Sequence, residues 1–243
     1  LEATTVTAED SSKPVFDRRS GGTVIEGFTI TGASGGAAEA KTAGVSCEGY
    51  GEGFRLTASR IKDCRYGIYA KDTGRCAVID CQIMDNAEAG ILTVFDSGSE
   101  IRDSVISGNK DAGIVLDWAT DCRVRGNQIG TDRYGTNARA NGNGIVLTGG
   151  TERAGIHGNL ISGNTEAGID MGEVHGEANT VTGNFIGVNK SGTQAVPNQT
   201  GIIVKDGYGQ TVGGKSEEDA NVIAGNSGHG IWIRNIGVRN ENI

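Results

Sequence analysis

The sequence is poor in the features that mark several common classes of protein. Only 2 of its 243 residues are proline and 5% are aromatic, so neither a collagen-like chain nor a core of large rings is expected. No window approaches the roughly 20 consecutive apolar residues of a membrane-spanning helix. The net charge of −8 excludes the broad basic surface that gathers phosphates. The sequence therefore predicts neither a nucleic acid nor a membrane as a partner.

Cysteine is present in an odd number, without a CxxC pair and without a paired histidine spacing. This pattern does not predict a zinc site, and we expect no metal ion or other cofactor. The simplest interpretation is that the thiols are inert and that the side chains act as small buried apolar groups. The five residues are Cys47, Cys64, Cys76, Cys81 and Cys122.

Glycine, in contrast, is abundant at 41 residues, and much of it recurs in a pattern. The first repeated unit is a glycine followed by a β-branched residue, and neighbouring copies are mostly 23 to 33 residues apart. The copies are Gly44-Val45, Gly67-Ile68, Gly90-Ile91, Gly113-Ile114, Gly144-Ile145, Gly168-Ile169, Gly201-Ile202 and Gly230-Ile231.

A second unit is a pair of aliphatic residues five positions apart, which alternates with the first. The pairs are Ile25/Ile30, Leu56/Ile61, Val78/Ile83, Ile101/Ile106, Val124/Ile129, Ile156/Ile161, Val181/Ile186 and Val238/Ile243, and an insertion separates Val212 from Ile223. The period is too short for two-helix repeats, and the leucine signature of leucine-rich repeats is absent. Apolar residues alternate around each glycine unit, which is typical of short strands. The sequence therefore predicts a parallel β-helix of about eight to nine coils.

Asparagine occupies a recurrent place three or four residues before the glycine unit. Asn86, Asn109, Asn141, Asn164, Asn198 and Asn226 share this place, and Asp63 takes it in an earlier coil. Asparagine tolerates left-handed backbone, and its amide both donates and accepts. Stacked side chains can therefore form hydrogen bonds along the axis, which explains the column without a ligand.

Three segments carry a resemblance to a known family. They are residues 127–136, residues 184–193, and Val212-Gly213-Gly214 followed by residues 221–226. They resemble the bacterial right-handed parallel β-helix repeat proteins of the pectate-lyase-like superfamily, from about Thr23 onward. The resemblance implies a right-handed all-β solenoid and a secreted or cell-surface location. Proteins of this kind include uncharacterised surface proteins, polysaccharide lyases, hydrolases and epimerases.

The chain is expected to form one domain over residues 1–243, with residues 1–22 as an irregular opening coil and 23–243 as regular coils. The absence of an initiator methionine and a repeat that runs to the last residue suggest a piece of a longer chain. The unfinished coil at Val238/Ile243 predicts either a truncated natural chain or self-association through unpaired strand edges.

In a β-helix, equivalent residues of successive coils form columns about 4.8 Å apart. The outward columns are apolar in the middle, at Tyr69, Leu92, Val115 and Val146, and become charged in the last three coils. The candidate catalytic residues there are Asp170, Glu173, His175, Lys205, His229 and Arg234, and the candidate substrate-binding residues are Trp232, Asp206 and Tyr69.

Lys205 and Arg234 suit a lyase or epimerase acting on acidic glycans, which needs a base and a cation beside the developing negative charge. The same residues also describe an ordinary solvated surface. Gly228-His229-Gly230 matches a motif of polygalacturonase-like hydrolases, but the carboxylates that such enzymes need are replaced by Glu166-Ala167 and Gln199-Thr200.

Two functional classes remain open. The first is a surface module that binds a polysaccharide or another partner. Its apolar outward column is costly to leave wet, so we expect the column to meet a loop, a partner or another copy of the chain. The second is a polysaccharide-active enzyme that uses the last three coils. We favour carbohydrate-associated binding, and the sequence identifies neither the glycan nor a reaction.

Overall fold

The computed structural model describes residues 4–18, 22–36, 41–51, 53–205 and 209–234. Its described residues form three β-sheets in which neighbouring strands are all parallel. We name the three sheets A, B and C. In each coil the chain passes from sheet B to sheet C, then to sheet A, and back to sheet B. The predicted right-handed parallel β-helix is confirmed.

Each sheet takes one strand from each coil. Sheet A consists of β1 (Thr4–Thr7), β4 (Phe28–Thr31), β7 (Arg60–Lys62), β10 (Gln82–Met84), β13 (Val105–Ser107), β16 (Gln128–Ile129), β19 (Leu160–Ile161), β22 (Phe185–Ile186) and β25 (Val222–Ile223). Sheet B consists of β2 (Phe16–Arg18), β5 (Ala43–Glu48), β8 (Tyr66–Lys71), β11 (Ile91–Val94), β14 (Ala112–Asp117), β17 (Asn143–Gly149), β20 (Ala167–Val174), β23 (Thr200–Lys205) and β26 (Ile231–Arg234). Sheet C consists of β3 (Val24–Glu26), β6 (Arg55–Thr57), β9 (Ala77–Ile79), β12 (Glu100–Arg102), β15 (Arg123–Arg125), β18 (Gly155–His157), β21 (Thr180–Thr182) and β24 (Thr211–Val212).

The repeated sequence units set the register of the coils. Ile91 pairs with Ile68 on one side and with Ile114 on the other, as the 23-residue spacing predicts. The first members of the aliphatic pairs stack in sheet C and the second members stack in sheet A, as with Leu56 over Val78 and Ile61 over Ile83. The inward-facing aliphatic residues of these columns form the buried core.

The glycine of the repeat is required because the neighbouring coil leaves no room for a side chain. A Cβ atom added at Gly67 would lie 2.5 Å from the carbonyl oxygen of Gly90 and 2.7 Å from Cγ2 of Ile83. Real Cβ atoms do not approach other atoms so closely, because close packing leaves no room for an extra carbon. Successive coils therefore come together only where this position is glycine.

Some details differ from the sequence predictions. The opening coil is more regular than expected, because β1 pairs in register with β4 and β2 pairs with β5. The insertion after Val212 contains a short 3₁₀ helix, Glu217–Asp219, which Ser216 caps.

Among the described residues, no helix is long and apolar enough to cross a membrane. Val238 and Ile243 lie outside the described residues, so self-association through that end stays a prediction.

Asparagine side chains bind one another along the axis. The Nδ2 atom of Asn86 donates to Oδ1 of Asn109 at 2.8 Å, and the same bond continues through Asn141, Asn164, Asn198 and Asn226. A second series, at the turn between sheets C and A, was not recognised in the sequence. It runs through Asn127, Asn159, Asn184 and Asn221. Both series satisfy buried backbone groups at the corners of the coils.

The five cysteines are all buried. Burial raises the pKa of the thiols of Cys64 and Cys81 to about 11 and that of Cys122 to about 12. The thiols are therefore protonated at neutral pH and shielded from solvent. This agrees with the prediction that they are inert.

Candidate functional site

The outward face of sheet B carries most of the predicted site residues. Its strands alternate, so that Ile169, Ile202 and Ile231 point into the core column while the next residue of each strand points out. This alternation places Asp170, Ile203 and Trp232 in one outward column. A second outward column places Lys205 beside Arg234.

An irregularity in β20 brings Asp170 and Lys205 together. A shift in register between Val146 and Thr148 leaves one extra residue in β20. The spacing of the sequence places Gly172 in the column of Thr148, but the structure pairs Thr148 with Glu173, so that placement was wrong. A Cβ atom at Gly172 would lie 2.7 Å from Oδ1 of Asp170 and 2.9 Å from Nζ of Lys205. The carboxylate and the ammonium group therefore border the same small space, and bulges of this kind often redirect side chains at sites.

Trp232 is at the centre of a stack in the last described coil. The ring of His229 lies 5.7 Å from that of Trp232, centroid to centroid, at an interplanar angle of 15°. The guanidinium carbon of Arg234 lies 5.8 Å from the Trp232 ring centroid, close enough for a cation–π contact. His229 and Arg234 are exposed and Trp232 is half-buried. The structure thus brings together three of the predicted residues around one aromatic ring.

The remaining predicted residues are more dispersed. Glu173 and His175 are exposed at the end of β20 and beyond it. Asp206 lies outside the described residues. Tyr69 is only 5% exposed and belongs to an apolar cluster. Six strand steps, about 29 Å, separate it from Trp232, so Tyr69 and Trp232 do not lie beside each other.

A polar cluster on the first coils of sheet B was missed. The hydroxyl of Tyr66 donates to the carboxylate of Glu88, which also accepts a bond from Nε of Arg65 at 2.6 Å. Nζ of Lys41 lies 2.9 Å from the Tyr66 oxygen and 4.9 Å from the ring centroid. Burial raises the pKa of Glu88, but the bonds from Tyr66 and Arg65 outweigh it and the net shift is downward. Burial and then the hydrogen bond to Glu88 raise the pKa of Tyr66, which keeps its phenol neutral.

This cluster explains how the apolar outward column begins. Tyr66, Tyr69 and Leu92 are buried together outside the main core, and Lys41 from the preceding segment lies against Tyr66. The sequence predicted that the column would meet a loop, a partner or another copy. At its start the column packs against Tyr66 of the same chain, and Lys41 contacts Tyr66 in turn.

Two aromatic side chains at the edge of sheet B were also missed. Phe95 and Trp118 follow β11 and β14 on successive coils, and their ring centroids are 6.0 Å apart. They are 52% and 50% exposed. Both have left-handed backbone, with φ of 52° and 51°, which is strained for residues of this size. The sequence signal was an aromatic residue directly after the outward column, at Val94-Phe95 and Asp117-Trp118.

One face of the Trp118 ring packs against two consecutive glycines. A Cβ atom at Gly149 would lie 2.4 Å from Cδ1 of Trp118, and one at Gly150 would lie 2.5 Å from its Cε3. The indole therefore rests on glycine backbone while about half of the side chain faces solvent. Asp117 lies beside it, and burial raises the pKa of this carboxyl group.

Comparison with known families gives one match that covers most of the chain. Residues 7–199 match the family described as periplasmic copper-binding protein, NosD. The chain belongs to the NosD family. No curated protein matches its sequence.

The copper in the family description can be tested against the side chains present. Copper favours thiolate, thioether and imidazole ligands that converge on one point. Among the described residues, no group of three or more histidine, cysteine, aspartate or glutamate side chains could hold a metal ion. The three histidines belong to different coils, at His157, His175 and His229, and the cysteines are buried in the core. The described part of this NosD family member does not fit a copper centre.

Similarity to solved structures confirms the fold, and at these low sequence identities it shows the fold alone. The A-module of the mannuronan C-5 epimerase AlgE6 from Azotobacter vinelandii is 14% identical, with a TM-score of 0.66, over 96% of this chain and 60% of that one. The enzymatically active domain of tailspike protein 2 of bacteriophage CBA120 is 13% identical, with a TM-score of 0.59, over 95% and 38%. PfbA, a surface adhesin of Streptococcus pneumoniae, is 9% identical, with a TM-score of 0.56, over 96% and 71%. The chain thus spans about 60% of the epimerase module and less of the tailspike domain.

Proposed function

We propose that the chain is an extracytoplasmic β-helix module that binds glycans along the outward face of sheet B. The observation that carries this proposal is the Phe95–Trp118 pair. Two large rings are held half-exposed, on successive coils and in a strained backbone conformation. Strain of this kind persists where the surrounding structure imposes it, and it concentrates at ligand sites.

A sugar ring suits this surface because it has one apolar face and a polar rim. The apolar face stacks on an exposed aromatic ring, and the hydroxyl groups reach polar neighbours such as Asp117 and Thr148, which pair across β14 and β17. Trp232 offers a second ring on the same sheet, four strand steps or about 19 Å further along the axis. A chain of sugars that lies along sheet B therefore meets an aromatic ring at both places.

The comparisons support this proposal without deciding it. The epimerase, the phage tailspike and the adhesin share the fold with this chain, and the first acts on a polysaccharide by its name. The family description names the periplasm, which is consistent with the extracytoplasmic location that we propose.

Affinity electrophoresis through gels that contain single polysaccharides, acidic and neutral, tests the proposal. We expect one of these gels to retard the parent protein and Trp118→Ala to lower the affinity at least tenfold, about 1.4 kcal/mol. Tyr134→Ala is the matched control, because Tyr134 is 62% exposed on a loop after β16 and away from sheet B. Equal retardation of parent and Trp118→Ala in every gel would contradict glycan binding at this pair.

A second candidate function rests on Asp170 and Lys205. The extra residue in β20 directs Oδ1 of Asp170 and Nζ of Lys205 to the same small space. An ammonium group beside a carboxylate is able to exchange a proton with a sugar acid, as a lyase or an epimerase requires. Absorbance of unsaturated ends, with acidic polysaccharides as substrates, detects the lyase reaction. The enzyme hypothesis predicts activity in the parent that Lys205→Ala and Arg234→Ala abolish, whereas the binding module shows none.

A further inference from the structure

A small pocket opens on the outward face of sheet A. Its volume is about 230 Å³, and its floor is formed by Leu160 of β19 and Phe185 of β22. Gln128 of β16 and Lys190, in the loop after β22, complete the lining together with residues of the turns between sheets C and A. The usual range for ligand pockets begins at about 300 Å³, so this pocket suits a compact molecule with one ring.

Lys190, in the loop after β22, lies at the rim of the pocket, and the loop after β16 packs against this residue. Each loop closes with an antiparallel bridge, Thr131 to Ala138 after β16 and Val188 to Ala195 after β22. The loops also bind each other, because the backbone nitrogen of Lys190 donates to the carbonyl oxygen of Gly135 at 3.0 Å. Hydrogen bonds within and between the two loops therefore hold Lys190 beside the opening of the pocket.

Gln128 supplies an unpaired polar atom inside the pocket. Its Oε1 atom is buried and has no hydrogen-bond partner among the described residues. A buried acceptor without a partner is costly, so a donor supplied by a ligand would be favourable there.

Gly135 shows that the polar groups border one space. A Cβ atom at Gly135 would lie 3.1 Å from Oε1 of Gln128, 3.0 Å from Cβ of Lys190 and 2.7 Å from Cδ2 of Leu160. The amide oxygen, the base of the lysine side chain and the apolar floor are thus within reach of one small molecule.

We propose that this pocket binds a single-ring aromatic acid that carries a hydroxyl group, of which 4-hydroxybenzoate is the simplest. The ring contacts Leu160 and Phe185, the carboxylate pairs with the ammonium group of Lys190, and the hydroxyl group donates to Gln128. The aromatic ring of the ligand packs against Phe185, and its carboxylate forms an ion pair at the exposed rim. The proposal is independent of glycan binding, because the pocket lies on sheet A.

Three probes separate these contributions in isothermal titration calorimetry. We expect 4-hydroxybenzoate to bind in the millimolar range or more tightly. Benzoate lacks the donor for Gln128, and 4-hydroxybenzyl alcohol lacks the carboxylate for Lys190. Each of them should bind about tenfold more weakly, since one lost hydrogen bond to a buried or charged group is worth about 1.4 kcal/mol.

Variants of the pocket complete the test. Gln128→Leu should abolish the advantage of 4-hydroxybenzoate over benzoate, and Lys190→Gln its advantage over 4-hydroxybenzyl alcohol. Gly135→Ala places a methyl group against the lining and should remove binding altogether. Gly213→Ala is its control, because that glycine also has a positive φ, 88°, but nothing within 4 Å of an added Cβ.

The outcomes are distinguishable from those on sheet B. Trp118→Ala should leave the binding of 4-hydroxybenzoate unchanged, and Lys190→Gln should leave glycan binding unchanged. The proposal is overturned if the folded parent shows no binding at millimolar concentration. It is also overturned if Lys190→Gln and Gly135→Ala, folded by circular dichroism, bind 4-hydroxybenzoate as the parent does.

Discussion

The side chain of Asn109 donates from Nδ2 to Oδ1 of Asn141 at 2.9 Å, although the two residues are 32 positions apart in the sequence. The preceding bond of the same series joins residues only 23 positions apart. The additional residues form the loop after β16, which leaves the coil without interrupting the series. An insertion is therefore tolerated where it projects outward, while the hydrogen bonds of the corner keep their geometry.

Replacing Asn109 should destabilise the fold strongly. Asn109→Ala leaves the backbone nitrogen and Nδ2 of Asn86 without their acceptor, and it removes the side-chain donor to Oδ1 of Asn141 while the bond from the backbone nitrogen of residue 109 remains. Buried polar groups without partners cost about 1–3 kcal/mol each, so we expect a loss of about 3 kcal/mol in the free energy of unfolding, measured with urea. Asn137→Ala, at an exposed asparagine, should cost less than about 1 kcal/mol. Equal losses would show that the buried series contributes little.

Asp96 should make stability depend on pH. It is 1% exposed, and burial raises the pKa of its carboxyl group, although Thr73 donates to it at 3.0 Å. A folded-state pKa above the ordinary value of 3.8 favours folding at acid pH, and this stabilisation is lost as pH rises through the raised pKa. The free energy of unfolding of the parent relative to Asp96→Asn should therefore fall as the pH rises above the ordinary value of 3.8.

Asp132 provides the opposite control. Burial raises the pKa of Asp132, but the bonds from Thr136 and Asn137 together outweigh burial and lower the pKa to about 2. The stability that Asp132 contributes is present above the ordinary value and is lost as pH falls towards 2. Relative to Asp132→Asn, the parent should therefore become less stable on acidification. If both variants gave the same slope, burial would not be what separates the two carboxyl groups.

The sequence was sufficient for the fold because the repeat makes one residue type recur at one place in every coil. Gly67, Ile68 and Asn86 each belong to columns that the spacing alone identifies. The candidate site was harder to predict from the sequence, since it depends on departures from that spacing. The extra residue of β20 moved Glu173 into the place expected for Gly172, and the contact between Lys41 and Tyr66 depends on a loop with no repeat.

The predicted site was informative where the residues lie in neighbouring coils. Trp232, His229 and Arg234 lie within one coil of the described structure, where His229 and Arg234 contact the Trp232 ring. Tyr69 shares their sheet but lies far along the axis and is buried. That burial was not predicted, because it comes from packing against Tyr66, which lies outside the core columns that the repeat identifies.

Gly149 should control the position of Trp118. Gly149→Ala meets the indole at 2.4 Å and the carboxylate of Asp117 at 2.9 Å, on a backbone with φ of 59°. Gly158→Ala shares the positive φ, 63°, but meets nothing within 4 Å. Both carry the cost of left-handed backbone, about 1–2 kcal/mol, and Gly149→Ala should cost at least about 1 kcal/mol more. Tryptophan emission should shift only in Gly149→Ala. A shift of the same size in both would mean that the glycine does not position the ring.

The thiols should be inaccessible in the folded protein. All five cysteines are buried, and burial raises the pKa of the thiols of Cys64 and Cys81 to about 11 and that of Cys122 to about 12. We expect an aromatic disulfide reagent to label none of them quickly in buffer and all five in denaturant. The rate in buffer should follow the unfolding equilibrium and increase in Asn109→Ala. Rapid labelling of the stable parent would mean that a thiol is exposed.

The central claim is that sheet B presents aromatic rings to a glycan. The chain has only 2 tryptophans, so Trp118→Phe and Trp232→Phe each leave one reporter on that face. The most direct measurement is tryptophan fluorescence of both variants, titrated with an oligosaccharide of the polysaccharide that retards the parent. Glycan binding on sheet B predicts saturable changes in emission in both variants, with the larger change from Trp118. Emission that stays constant in both while the oligosaccharide binds would contradict it.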